Sequence, residues 1–216
     1  MSIDFTFGGT EMGNPWNEIS LNDYENHMSL ESVHQLQTMN EMMKEQFYAY
    51  DVNSVMVLGI AGGNGLEHID GGIFKKVYGV DINQGYLDEC KNRFPELEDI
   101  FITICADLTN ADLQLPHSEL LVANLLIEYI GYECFQAVVK IVKPQYVSCI
   151  IQINTDVSFV SDSPYLHVFD RLDEVHHQMQ TKELVDSMVK IGYKNEFQCE
   201  RELPNGKKLV RIDFVC

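Results

Sequence analysis

Basic residues are scarce: 15 Lys and Arg stand against 33 Asp and Glu, a formal charge of -18 over 216 residues. The densest basic spots are only Lys75-Lys76 and Lys207-Lys208. Nucleic-acid binding draws its affinity from neutralised phosphates, so DNA, RNA and anionic membranes are not expected as partners. A small-molecule substrate suits this surface better. Long apolar runs are also missing, and none reaches the roughly 18 residues that a transmembrane helix needs. The first residues, "MSIDFTFGGTEMGNPWNE", carry neither a basic start nor an apolar stretch. No secretory signal is read there, and the expected location is cytoplasmic. The six cysteines (Cys90, Cys105, Cys134, Cys149, Cys199, Cys216) include no Cys-x-x-Cys pair. Neither a zinc site nor a disulfide framework is expected, and no metal is. Cys105 and Cys149 lie in apolar runs and are expected in the core.

What is present is alternation. "SVMVLGI" (54–60), "KVYGVDI" (76–82), "IFITICADL" (100–108), "ELLVANLLI" (119–127) and "YVSCIIQIN" (146–154) read as strands. Their nearly continuous apolar character fits a parallel sheet covered on both faces. Helices are expected between them. "NQGYLDECKNRF" has Asn83 as N-cap and Pro95 as a stop; "YECFQAVVKIVKP" repeats the pattern. "TKELVDSMVKIGY" should bury Leu184, Val185, Met188 and Val189 and end on Gly192. "EFQCERELPNGKKLVRIDFVC" reads as two strands joined at Pro204-Asn205-Gly206. The expected fold is α/β: a three-layer, doubly wound, mostly parallel seven-stranded sheet with a terminal antiparallel hairpin.

Two segments lie outside this frame. Residues 1–53 form an N-terminal helical extension in which Val33, Leu36, Met39, Met43 and Phe47 recur at helical spacing behind a Ser29 cap. Residues 155–180 form an insertion in the main domain, 54–216, and connections this long are often functional.

The stretch "LGIAGGNG" places four glycines, Gly59, Gly62, Gly63 and Gly65, within seven positions. A strand-to-helix turn there would lie at the carboxyl edge of the sheet, where open α/β folds bind ligands. A helix N-terminus behind it would supply free N–H groups. A phosphate, a sulfonium cofactor or a tight structural turn would each use such glycines. Asp81 closes the second strand, where a carboxylate can accept both hydroxyls of a ribose or cap the next helix. Asp107 closes the third, placed to accept from an adenine amino group while Leu108 packs on the ring. Asn124 ends the fourth at the same crevice.

In these motifs the chain resembles the class I S-adenosylmethionine-dependent methyltransferases. "VMVLGIAGGNGLEHI" is similar to their glycine motif, "VYGVDI" and "CADLT" to their second- and third-strand motifs, and "LLVANLLIEYIG" to the one after the fourth strand. The resemblance covers roughly residues 54–216 and implies S-adenosyl-L-methionine as cofactor. It would place the methionine end at Gly59, Ala61, Gly62, Gly63, Asn64 and Gly65, the ribose at Asp81, and the adenine at Asp107 and Leu108. Ile82 would flank the base. The chain departs from the family pattern at Gly59, where an acidic residue is usual, and at Ala61, where glycine is.

Methyl transfer from a sulfonium is an in-line displacement that mainly needs alignment and exclusion of water. An oxygen or nitrogen acceptor can also need a base. Glu128, His27 and His167 are the leading candidates, with Tyr24, Tyr129 and His176 behind them. Glu128 follows an apolar strand, where burial would raise its pKa, although a helix cap or a salt bridge would use the same residue. Aromatic residues in the N-terminal segment (Trp16, Tyr24) and in the insertion (Phe159, Tyr165, Phe169) suggest a lid. The leading expectation is a methyltransferase for a small acceptor. A non-catalytic binding protein of the same fold is the alternative. A nicotinamide-dependent oxidoreductase ranks lower because "GIAGGNG" does not supply G-x-G-x-x-G in register.

Overall fold

The five apolar runs form strands, each slightly shorter than its run. The computed structural model describes residues 13–154 and 159–216. Residues 1–12 of the extension and 155–158 of the insertion therefore lie outside the described residues. The strands are β1 (Ser54–Leu58), β2 (Lys76–Asp81), β3 (Phe101–Cys105), β4 (Leu120–Asn124), β5 (Tyr146–Ile153), β6 (Lys194–Glu202) and β7 (Lys208–Val215). They form one sheet in the order β3-β2-β1-β4-β5-β7-β6. The first five are parallel, and β7 runs antiparallel between β5 and β6. The expected α/β architecture is the observed one. Its winding reverses between β1 and β4, which opens a crevice at the carboxyl ends of these strands.

Among the described residues, five α-helices pack around the sheet: α1 (Leu21–Ser29), α2 (Gln35–Phe47), α3 (Gln84–Arg93), α4 (Ile127–Val142) and α5 (Thr181–Lys190). On one face Met39, Met42, Met43 and Phe47 of α2 pack with Leu87 and Cys90 of α3 against Val55, Val57 and Val77. On the other, Phe135, Val138 and Val142 of α4 and Leu184 and Met188 of α5 cover Met56, Leu58 and Val80. Asn83 caps α3 as expected, accepting from the Gly85 and Tyr86 amides. Gly192 follows α5 with φ +98°, the left-handed geometry of a helix C-terminus.

Several local expectations are corrected. No α-helix follows the glycine turn. Leu66–His68 make a single 3-10 turn entered through Gly65 at φ 89°, and Ile69 leaves it extended. The second layer there is built by α2, from ahead of β1. Ser29 caps nothing downstream: it ends α1, whose cap is Ser20, accepting from the Asp23 amide at 3.1 Å. α2 begins after His34, which turns the chain with φ 50°. β4 stops at Asn124, because Leu125 turns left-handed (φ 52°) and Ile127 already belongs to α4, its side chain buried on the helix. Gly131 (φ 74°, ψ 166°) interrupts α4 after one turn, so the long regular helix begins near Tyr132, as read from the sequence. Val189 is 56% exposed because it turns away from the sheet. Cys105, at the outer edge strand, is exposed, whereas Cys149 is buried; both are free thiols.

A buried polar chain joins α2 to the sheet. Gln46 and Asn124 exchange side-chain amide hydrogen bonds at 3.0 and 2.8 Å. Gln46 also donates to Ser148 Oγ at 2.9 Å, and Ser148 in turn donates to Asp213. Asp213 accepts from Arg211 Nε at 2.9 Å and from the Tyr50 hydroxyl at 3.1 Å. Fully partnered networks of this kind specify one arrangement of a core.

Candidate active site

The ends of β1 to β4 open into one cleft of about 760 Å³. Gly59, Ala61, Asp81, Ile82, Asp107, Leu108 and Asn124 all line it, so seven of the residues singled out from the sequence are brought together. Val80, Leu126 and Ile130 add apolar wall, and Trp16, Tyr24, Tyr86 and Tyr129 add aromatic wall.

Asp81 is 9% exposed. Its Oδ2 accepts from the Ala61 amide and its Oδ1 from the Asn83 amide, both at 2.9 Å. Burial nevertheless raises its pKa, against the lowering effect of these backbone bonds. Each carboxylate oxygen keeps a second lone pair for a ligand. Asp107 accepts from the Thr109 amide at 2.9 Å and from its hydroxyl at 2.7 Å, which fixes the turn after β3. Asn124 is held by Gln46, so its side chain is oriented before any ligand arrives.

The glycines admit protein as much as open space. A Cβ on Gly62 would overlap Glu25 and Arg93; one on Gly63 would lie 2.6 Å from Cys90 Sγ; one on Gly65 would lie 2.9 Å from Met43 Cβ. α1, α3 and α2 thus each approach the turn at a different glycine. Gly59 (φ +64°) faces Leu126, whose Cδ1 would lie 3.1 Å from an added Cβ. Ala61 has φ 48°, a left-handed conformation that costs a residue with a Cβ roughly 1–2 kcal/mol. Gly62 and Asn64 line a smaller space of about 420 Å³, which shares Tyr24, Gly59, Ala61 and Asn124 with the main cleft. Glu25 also lines it. Its carboxylate is paired with Arg93, Oε2 to Nη2 at 2.9 Å. Sequence reasoning missed Glu25, because only the packing of α1 onto the turn places it there.

A third space of about 540 Å³ shares Trp16, Tyr24, Leu125 and Tyr129 with the main cleft. Glu128 and His27 both line it, with Gln35, Gln152, Phe159, Phe169 and His176. Glu128 lies in the first turn of α4 and is 4% exposed. Its Oε1 accepts from the Gln152 amide at 2.8 Å, while its buried Oε2 has no hydrogen-bond partner among the described residues. Burial pushes its pKa up to about 7. The His27 Nδ1 is 2.8 Å from Ser163 Oγ. Burial, with the nearby Lys207 charge, lowers the His27 pKa to about 4, so its ring is neutral at pH 7. His167 is not part of this group: its side chain is 91% exposed, 3.5 Å from Asp170. Trp16, Tyr24 and Tyr129 meet Phe159, Tyr165 and Phe169 around Ile19 and Leu172, joining the N-terminal segment to the insertion.

The sheet order, the terminal hairpin and the strand-end cleft define the class I S-adenosylmethionine-dependent methyltransferase fold. No protein-family model and no curated protein sequence matches the chain. Solved structures do. The methyltransferase domain of bacterial CtHen1 superposes with a TM-score of 0.62 at 18% identity, over 91% of this chain and 98% of that one. Magnesium protoporphyrin IX methyltransferase from Synechocystis PCC 6803, with bound S-adenosylmethionine, gives 0.59 at 10% identity, over 93% and 87%. The cyclase SpnF gives 0.62 at 7% identity, over 82% and 80%. At these identities the likeness establishes the fold, and chemistry must be argued from the site.

Proposed function

We propose that this protein is an S-adenosylmethionine-dependent methyltransferase acting on a small-molecule acceptor. The observation that carries this reading is the convergence of Gly59, Asp81, Asp107 and Asn124, from the ends of four adjacent strands, on one cleft. The residues suit the cofactor. Asp81 has lone pairs left for ribose hydroxyls, Val80, Ile82 and Leu108 offer apolar faces for adenine, and Asp107 stands at the base edge. At the methionine end, Gly59 supplies no carboxylate. Glu25, across the turn and held by Arg93, is the acidic group placed to take the cofactor's amino group.

Bound there, the cofactor supplies an activated methyl carbon. The rest is done by this chain. Trp16, Tyr24, Leu125 and Tyr129 lie between the cofactor cleft and the Glu128 space, and lining both lets them align an acceptor and exclude water. Glu128 is the base within reach of an acceptor in that space; its raised pKa matches proton transfer near neutral pH. His27, neutral and tied to Ser163, orients the insertion above it. The charge of -18 supports a cationic or neutral acceptor over an anionic one.

Calorimetric titration with S-adenosylmethionine, S-adenosylhomocysteine and NAD tests the reading. Binding of the first two without the third is the expected result. Binding of NAD alone, or of none, would overturn it. Binding of the first two with no methyl transfer to any amine, alcohol or thiol in a broad screen would favour the non-catalytic alternative, a role the left-handed Ala61 and the missing acid at Gly59 make worth testing.

A further inference from the structure

The space around Glu128 is more specific than a generic acceptor site. Its walls are aromatic: Trp16, Tyr24, Tyr129, Phe159 and Phe169 line it, and His176 stacks on Phe159 with ring centroids 3.8 Å apart. Among the described residues that line it, Glu128 is the one acidic group. One oxygen of that carboxylate is satisfied by the Gln152 amide; the other is buried and lacks a partner. A buried carboxyl oxygen without a partner is costly, so a ligand that supplies a donor there gains more than the usual hydrogen bond. No Lys or Arg is among the described residues that line the space. Lys207, outside that lining, donates to the Phe159 carbonyl at 2.8 Å. Burial lowers the pKa of both histidines, His27 to about 4 and His176 in the same direction, which disfavours their charged forms.

Aromatic faces around a carboxylate with one unpartnered oxygen suit an organic cation. Building on the methyltransferase reading, we propose that the acceptor is a primary or secondary amine on an apolar, aromatic-sized body, bound as its ammonium with one N–H on Glu128 Oε2. The acidic surface favours arrival of such a cation. The reaction balances with the groups present. The ammonium gives one proton to the Glu128 carboxylate, which leaves a lone pair on nitrogen. That pair forms the new N–C bond to the methyl carbon as the C–S bond breaks, and the C–S electron pair stays on sulfur. The positive charge passes from sulfonium to the N-methylated ammonium, and the proton on Glu128 leaves to solvent. Trp16, Tyr24 and Tyr129, which meet edge to face at centroid distances of 5.8 and 4.9 Å, surround the charge at both ends of this transfer.

The test uses phenethylamine, 2-phenylethanol and phenylacetate, three molecules of one shape that differ in the polar head. Ligand-observed NMR at pH 8 would measure their binding to the full chain without S-adenosylmethionine, so the result does not depend on methyl transfer. The amine should bind at least tenfold more tightly than the alcohol, and the carboxylate more weakly than both. In Glu128→Gln, with folding checked by thermal melting, the preference for the amine should fall to near unity. In the wild type, the ¹³C-labelled Glu128 carboxyl resonance should move with the amine and stay still with the alcohol; this readout stands even if the variant does not fold. Equal binding of amine and alcohol, tighter binding of phenylacetate, binding of none, or an unmoved Glu128 resonance would each overturn the proposal. A failed cofactor titration with intact amine selectivity would instead sink the methyltransferase reading and leave an amine-binding protein.

Discussion

The Asp81 carboxylate accepts the backbone N–H of Ala61 at 2.9 Å, so the end of β2 holds the turn that follows β1. Its other oxygen takes the Asn83 amide at the same distance, which fixes the start of α3. One side chain thus braces two loops of the cleft while presenting its remaining lone pairs to a ligand.

Asp81→Asn should therefore act on stability as well as on binding. An amide can accept through only one atom, which leaves one of the two backbone N–H groups facing an NH₂. Such a loss costs about 1–3 kcal/mol, or several degrees of Tm for a chain this size. Thermal melting should show that drop, and titration should show at least tenfold weaker S-adenosylmethionine binding. An unchanged Tm would mean that the two backbone bonds contribute nothing.

Ala61→Gly should stabilise. The left-handed φ of 48° penalises a residue with a Cβ by roughly 1–2 kcal/mol, and glycine's larger unfolded entropy offsets about 0.5–1 kcal/mol of the relief. A net gain of up to about 1 kcal/mol, read as a rise of about 2–4 °C in Tm, is the expected outcome. A fall in Tm would show that the methyl makes contacts worth more than the strain.

Gly62→Ala should release α1. The added methyl would displace the tips of the Glu25–Arg93 pair that crosses the turn. The pair is partly exposed, with side chains 22% and 35% accessible, and contributes at most about 1 kcal/mol itself. The visible effect should be faster hydrogen exchange over residues 21–29, with the sheet unchanged. Glu25→Gln, which leaves the turn intact, should weaken S-adenosylmethionine binding with little change in exchange elsewhere. If neither variant alters cofactor affinity, Glu25 does not hold the amino group.

Glu128 makes stability pH-dependent in a defined direction. Burial raises its pKa from 4.5 to about 7. Between those values the folded chain keeps a proton that the unfolded chain has lost, so stability falls as pH rises through the window and levels off above it. The full effect is about 3 kcal/mol. Urea unfolding at pH 5 and pH 8 should show the wild type losing about 2–3 kcal/mol relative to Glu128→Gln. Parallel behaviour of the two proteins would place the Glu128 pKa near its ordinary value.

The strands, the α3 cap and the hairpin were legible because each rests on a local signal: an apolar run, Asn83 ahead of a periodic segment, Pro-Asn-Gly between alternating residues. The acidic strand ends were legible for the same reason, since strand order alone brings Asp81 and Asp107 to one edge. The glycines were readable as a tight place, but their spacing does not say what is tight against them. Glu25, Arg93, Cys90 and Met43 come from three different helices. Nor could the space around Glu128 be read. His27 meets Ser163 across 136 positions, and Gln35 meets Gln152 across 117 at 2.8 Å. No window of sequence contains both partners. The missing helix after the turn was misread because α2, which takes up that side of the sheet, precedes the motif.

The polar chain from α2 to β7 also sets a timetable for synthesis. Gln46 and Tyr50 leave a ribosome well before β7 does, and Tyr50 reaches its partner Asp213 across 163 positions. Until β7 emerges, Ser148 has no carboxylate to donate to, and Glu45 has no Arg211 within 3.7 Å. Contacts this distant in sequence form late, after the entropy of closing the chain has been met. The nascent protein must therefore carry an incompletely partnered sheet until β7 has emerged, the stage at which a chaperone would find it.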